Sequence, residues 1–203
     1  MIKTIIFDFG DVFINLDKQG AMHNALKLFQ LKRFEPDLIK TNLQYEVGKI
    51  STNEFLNFYK RKFKYLSEDD IVEAWNYILK DFPKYRLDFI KNLSEENKYK
   101  LILLSNTNAL HIDFIKQNVT FFEEFKNYFD KFYLSHDINL RKPNKTIFNF
   151  VLNENRLEPE TCLFIDDTKE NTDAAARMGF NVWNLDENKE DIIDLFKIKK
   201  HLF

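Results

Sequence analysis

Four short apolar runs in this chain each lead into residues able to do chemistry. Ile5-Ile6-Phe7 runs into Asp8, Leu101-Ile102-Leu103-Leu104 into Ser105-Asn106, and Cys162-Leu163-Phe164-Ile165 into Asp166-Asp167. The fourth, Lys131-Phe132-Tyr133-Leu134, leads to Ser135 and then to Lys142. Together they supply acids, a hydroxyl, an amide and one ammonium, a set suited to a hard divalent cation and a phosphate. Three carboxylates gathered in one crevice repel one another, and a cation relieves that repulsion. Mg2+ takes oxygen ligands, typically one or two carboxylates with substrate phosphate and water. A lysine beside the acids neutralises a phosphate as a point charge. An aspartate held against phosphorus by metal and lysine can then act as a nucleophile, giving an acyl phosphate that water hydrolyses. Singly, each residue has a plainer role. Asp8 and Ser105 fit turns or caps, Lys142 beside Arg141 fits a solvated pair, and Asp166-Asp167 fits a helix N-terminus. The signal is their order at successive run ends.

The elements that must position them follow from periodicity. Continuous apolar runs of this length fit buried parallel strands. Helical spacing lies between them at Leu87/Ile90/Leu93, Leu110/Phe114 and Ile147/Phe148/Val151/Leu152, the last just after Pro143. Alternating strands and helices imply an α/β fold, a doubly wound, Rossmann-like parallel sheet. In such a sheet ligands bind beyond the carboxyl ends of the strands, where all four run ends would lie.

The stretch between the first two runs is too long for one crossover helix. Residues 16–83 read as helical, with apolar faces at Met22/Ala25/Leu26/Phe29, Phe55/Leu56/Tyr59/Phe63 and Ile71/Val72/Trp75/Ile78/Leu79. Ser51-Thr52-Asn53-Glu54 reads as a capping box, and Pro83 as the end of the helical stretch. The expected organisation is an α/β core of residues 1–15 and 84–203 with an inserted helical subdomain, 16–83.

Composition narrows the function classes. With 203 residues and a net charge of -2, the chain suits a globular protein and lacks the basic excess of an obligate nucleic-acid binder. No apolar run approaches the roughly 18–20 residues of a membrane span, and the N-terminal run is halted at Asp8. The one cysteine, Cys162, lies inside an apolar run, and nothing suggests an oxidising compartment, so a cytoplasmic setting is expected. The 22 phenylalanines fall at helical or strand spacing and read as core. His23, His111, His136 and His201 show no metal-ligand spacing; Trp75 and Trp183 read as packing residues, and Asn15 and Asp17 as a linker.

The ordered motifs resemble those of the haloacid dehalogenase superfamily. Ile5-Ile6-Phe7-Asp8-Phe9-Gly10-Asp11-Val12 resembles its first motif, Leu103-Leu104-Ser105-Asn106 its second and Lys142-Pro143 its third. Leu163-Phe164-Ile165-Asp166-Asp167, with Asn171, Ala174 and Gly179 downstream, resembles its fourth. Residues 16–83 are similar to the helical cap of its type I members, and Tyr45–Ser51 with Ala74-Trp75-Asn76 to the cap of a subgroup of small sugar-phosphate phosphatases. The resemblance implies a Mg2+-dependent phosphatase acting on a small phosphorylated metabolite; chain size fits a monomer or homodimer, and charge and hydropathy point to no nucleic-acid or membrane partner. It implies Asp8 as nucleophile and metal ligand, Lys142 as the neutralising cation, and Ser105 and Asn106 as holders of the phosphoryl group. Asp166 and Asp167 complete the metal site, with Asp167 direct and Asp166 through water or the reverse, aided by the Gly10 carbonyl.

One departure stands out. Most phosphatases of the family carry a second Asp two residues after the nucleophile as general acid, and here that position is Gly10. Asp11, one residue on, would face the other way in an extended stretch. A general acid is worth roughly 10²–10⁴-fold, so a slow enzyme or a substrate with a good leaving group is expected. A 2-haloacid dehalogenase, which also lacks that acid, is the alternative, but a metal-free reaction has no use for Asp166 and Asp167 together. A non-catalytic phosphate-binding relative is the third reading, opposed by the intact Asp8, Lys142 and acidic pair.

Overall fold

Each apolar run forms a strand because a run without polar interruption can be buried on both faces of a parallel sheet. The computed structural model describes residues 1–203. Its strands are β1 (Thr4–Phe7), β2 (Lys100–Ser105), β3 (Lys131–Leu134), β4 (Cys162–Asp166) and β5 (Asn181–Asn184). They make one sheet in the order β3-β2-β1-β4-β5, with every neighbouring pair parallel. The α/β reading is confirmed, with one strand more than the runs announced. β5 reads Asn181-Val182-Trp183-Asn184, too short an apolar stretch between asparagines to stand out, yet Trp183 is almost fully buried.

Period-two alternation splits the strand side chains between two cores. Ile5, Phe7, Leu101, Leu103, Leu163 and Ile165 face one side. Ile6, Ile102, Leu104, Cys162 and Phe164 face the other. The first core is dominated by phenylalanine. Phe125 sits 4.9 Å from both Phe13 and Phe82 and 5.0 Å from Phe129, mostly edge-on, an arrangement worth about 0.5–1.5 kcal/mol per pair beyond burial.

The chain from β1 to β2 carries α1 (Lys18–Leu28), α2 (Pro36–Glu46), α3 (Thr52–Lys62), α4 (Glu68–Asn76) and α5 (Lys84–Glu95). The first four surround a third cluster, in which Tyr45 stacks on Phe55 at 4.3 Å and Trp75 meets Phe55 at 4.7 Å. Both α3 and α4 open with capping boxes, Ser51/Glu54 as expected and Ser67/Asp70 in addition. Three details differ from the sequence reading. The helix α2, opened by Pro36, was not distinguished from its neighbours; Met22 on α1 is 51% exposed; and Pro83 precedes α5 as its N-cap, where its lack of an N–H costs nothing, rather than closing α4. The two segments joining these helices to the sheet run side by side. Leu16 bridges Leu79 in antiparallel fashion, and Asn15 and Asp17 bond Asp81, Lys80 and Ile78 through the backbone.

The remaining helices are α6 (Ala109–Asn118), α7 (Phe122–Asn127), α8 (Ser135–Ile138), α9 (Lys145–Asn155), α10 (Lys169–Ala176) and α11 (Leu195–Ile198). No helix is long and apolar enough to cross a membrane.

Candidate active site

Parallel register brings the run ends to one edge of the sheet. Phe7 pairs with Leu103 and with Ile165, so Asp8, Ser105 and Asp166 emerge together. The Asp8 N–H donates to the Ile165 carbonyl at 2.8 Å, extending the ladder one residue and fixing where its side chain leaves the sheet.

Lys142 lies at the centre. Its side chain is fully buried and its Nζ donates to Asp166 Oδ2 at 2.6 Å and to Asp8 Oδ1 at 2.8 Å. Asn106 holds the loop that delivers it: the Asn106 amide donates to the Lys142 carbonyl and accepts from the Lys142 N–H, both at 2.9 Å. Asn106 is therefore occupied in positioning the lysine, a task that the sequence reading did not give it. Burial works against the Lys142 ammonium, but the carboxylates of Asp166 and Asp8 outweigh it and hold its pKa above the ordinary lysine value. Burial first, with Asp166 and Asp167 adding to it, pushes Asp8 up to about 7 against the downward pull of Lys142.

The two acids of the fourth motif differ sharply. Asp166 is fully buried and its oxygens are taken: Oδ1 accepts from the Thr168 N–H and Asn171, Oδ2 from Lys142 and Asn171. Asp167 points into the crevice and meets only the Lys18 ammonium at 2.5 Å and, at 3.4 Å, the Thr168 hydroxyl. The Asn184 amide bridges the carbonyls of both acids and steadies the turn that carries them.

Asp8, Asp166 and Asp167 each present an oxygen within 4.8 Å of the other two, and these atoms suit a hard cation. Three acids so close, with one of them raised in pKa, form an excess of negative charge that fits Mg2+ by ligand chemistry. Ser105 is buried at the edge of the same crevice, and Gly10, past the end of the adjacent strand β1, borders it too.

Asp11 is not in an extended stretch. Its φ is 54°, a left-handed turn, and its side chain accepts from the Leu16 N–H at 2.8 Å and from Lys18 at 2.7 Å. It is engaged in closing the loop after β1, so it does not take the place of the absent acid. At Gly10 an added Cβ would come within 2.7 Å of Leu16 Cδ1, so any side chain there needs Leu16 to move.

Two spaces open from this crevice. One, of about 250 Å³, is lined by Asp8, Lys18, Asn106, Arg141, Lys142 and Asp167. The other, of about 230 Å³, lies between the sheet edge and the helices α2 and α4, with Asn42, Glu46, Trp75 and His111 on its walls beside Ser105. Several contacts fasten those helices down. The Arg141 Nε donates to Glu46 at 2.5 Å, the Ser135 hydroxyl to the Glu46 carbonyl, the Leu110 N–H to the Tyr45 hydroxyl, and the His111 ring bonds the Trp75 carbonyl at 3.0 Å. His136 lines neither space, and Cys162 is buried within β4, its thiol pushed by burial up to about 11. Asn15 and Asp17 are joining residues, Asp17 also capping α1. The sequence reading passes over Lys18, gives Arg141 only as the solvated neighbour of Lys142 and includes Glu46 only within the Tyr45–Ser51 resemblance, because nothing local separates them from any other surface charge.

The chain matches a family model for haloacid dehalogenase-like hydrolases over residues 2–179. A D-ribitol-5-phosphate phosphatase from Bacteroides thetaiotaomicron is 30% identical over 197 residues, covering 90% of this chain and 91% of that protein. A crystal structure of a haloacid dehalogenase family enzyme from the same organism, a magnesium complex, superposes with a TM-score of 0.85 at 34% identity, covering 97% of this chain and 98% of that one. A mutant of that enzyme, in complex with magnesium and inorganic phosphate, gives 0.82 at 31% identity, covering 97% and 99%.

Proposed function

The chain belongs to the haloacid dehalogenase-like hydrolase family, and we propose that within it the protein is a Mg2+-dependent phosphatase of a small sugar or polyol phosphate. The observation that carries this reading is the Lys142 bridge from Asp8 to Asp166, with Asp167 beside them. Asp8, Asp167 and the Gly10 carbonyl would hold the metal, and Asp166, whose oxygens are already bonded, would support it from behind. When bound, Mg2+ supplies positive charge that lowers the Asp8 pKa and draws electron density from the phosphoryl oxygens.

The remaining steps belong to the chain. Lys142 fixes the Asp8 carboxylate and neutralises an incoming phosphate. Ser105 and the backbone after β2 donate to its oxygens. An Asp8 oxygen attacks phosphorus; the new O–P bond forms as the ester P–O bond breaks, and the leaving oxygen departs with its electron pair. Since neither Gly10 nor Asp11 offers an acid, that oxygen takes its proton from water. A second water then attacks phosphorus, the O–P bond to Asp8 breaks, and inorganic phosphate leaves with the Asp8 carboxylate restored.

The helices α1 to α4 act as the cap. The 230 Å³ space beneath them takes the organic part of the substrate, and its Asn42, Glu46 and His111 side chains suit hydroxyl groups. A volume of that order accommodates a short sugar or polyol and excludes large substrates. The relative's substrate makes D-ribitol 5-phosphate the first compound to test.

The test is phosphate release from D-ribitol 5-phosphate, other pentose and hexose phosphates and p-nitrophenyl phosphate, with Mg2+ and with EDTA. Release should need Mg2+ and fall more than about 10³-fold in Asp8→Asn. Turnover in EDTA, or an active Asp8→Asn, would overturn the reading. Chloride release from 2-chloropropionate would instead mark a dehalogenase.

A further inference from the structure

We propose that Lys18 is a built-in counter-cation that competes with the divalent ion for Asp167. The inference rests on the phosphatase reading, since it presumes that Asp8, Asp166 and Asp167 take a metal.

Lys18 is the first residue of α1, and its placement is fixed from both sides. Asp17 caps the helix by accepting from the Gly20 N–H, and its own N–H donates to the Ile78 carbonyl, which anchors this end of α1 to the returning segment. The Lys18 ammonium then reaches back over the strand ends, to Asp11 Oδ2 at 2.7 Å and Asp167 Oδ2 at 2.5 Å. Asp11 is held for this contact by its other oxygen, which accepts from the Leu16 N–H.

The carboxylate that Lys18 grips is the one with capacity to spare. Asp166 has both oxygens bonded inside the protein, whereas Asp167 has Lys18 and one long hydroxyl contact. Charge arithmetic points the same way. Asp8, Asp11, Asp166 and Asp167 bring four negative charges when ionised, and Lys18 and Lys142 return two. The balance is that of one divalent cation. Without metal, Lys18 limits repulsion between Asp11 and Asp167 and keeps Asp167 in place. With metal, two cations share that carboxylate, and their repulsion weakens metal binding.

The Lys18 side chain is 47% exposed, so water and salt screen the effect. Lys18→Met keeps the length of the side chain and removes the charge; Lys18→Gln keeps a polar end. In calorimetric titrations of MgCl2 into substrate-free protein, both variants should bind Mg2+ about three- to tenfold more tightly than wild type. The gap should narrow as NaCl is raised. Circular dichroism and melting in EDTA check that each variant folds. Affinity unchanged or weakened in both folded variants would overturn the inference while leaving the phosphatase reading intact. Wild-type protein that binds no Mg2+ would overturn both.

Discussion

The crevice has an ammonium bridge at each end, and the two differ in almost everything but geometry. At the sheet end Lys142 joins Asp8 to Asp166, with its side chain and that of Asp166 removed from water. At the helical end Lys18 joins Asp11 to Asp167 from a side chain that is 47% exposed. The first bridge sits in a low-dielectric setting where neither lysine nor acid can lose its partner cheaply. The second is open to water on its lysine side only, since the Asp11 and Asp167 side chains are each 7% exposed, so water and salt screen it in part. The same pair of residue types thus makes a fixed reaction centre in one place and an adjustable rim in the other.

That contrast can be broken by substitution, and burial orders the expected effects. Lys142→Met leaves two buried carboxylates facing each other without a cation. It should cost about 3–5 kcal/mol in denaturant unfolding and abolish phosphate release. A loss below about 1 kcal/mol would mean that water enters the centre and the bridge is not the closed unit described.

His111, on the wall beneath α4, tests burial without a charge partner. Burial pushes its pKa down to about 4, with the Trp75 carbonyl partly offsetting this. The unfolded chain, with histidine near 6.5, binds more protons between those values, so stability rises with pH across this window. The contribution is complete above pH about 6.5 and is lost as pH falls through about 4, on the order of 3 kcal/mol in all. Melting curves of wild type and His111→Asn should therefore converge as pH falls from 7 to 4. A constant gap would show that His111 is hydrated.

The smallest effect is assigned to Lys18→Met in EDTA: its half-exposed ammonium faces two acids that are each 7% exposed, so the loss should stay below about 2 kcal/mol and shrink at high salt. A larger, salt-insensitive loss would place Lys18 with Lys142 and erase the distinction between the two ends.

Local sequence carried one end of the crevice and not the other. Asp8, Ser105, Lys142, Asp166 and Asp167 each follow an uninterrupted apolar run or sit at fixed motif positions, so strand burial and chain order announced them together. β5 was missed because asparagines flank its short apolar centre, and tertiary burial of Trp183 supplies what the pattern lacks. The helix α2 lay hidden in a continuous helical stretch, opened by Pro36 and ended just before Gly48. Lys18 and the Arg141–Glu46 pair depend on contacts across 149 and 95 residues, which no local periodicity encodes. Asp11 misled in a different way: its left-handed backbone, uncommon outside glycine, turned an assumed extended stretch into a closed loop.

The most direct test of the account is to catch phosphate on Asp8. Wild-type protein mixed with Mg2+ and p-nitrophenyl phosphate, quenched in acid within the first turnovers and digested, should yield the peptide containing Asp8 with one added phosphoryl group. Asp8→Asn protein should yield none. Steady phosphate release from wild type with no phosphorylated peptide, and inversion of configuration at phosphorus, would contradict nucleophilic attack by Asp8.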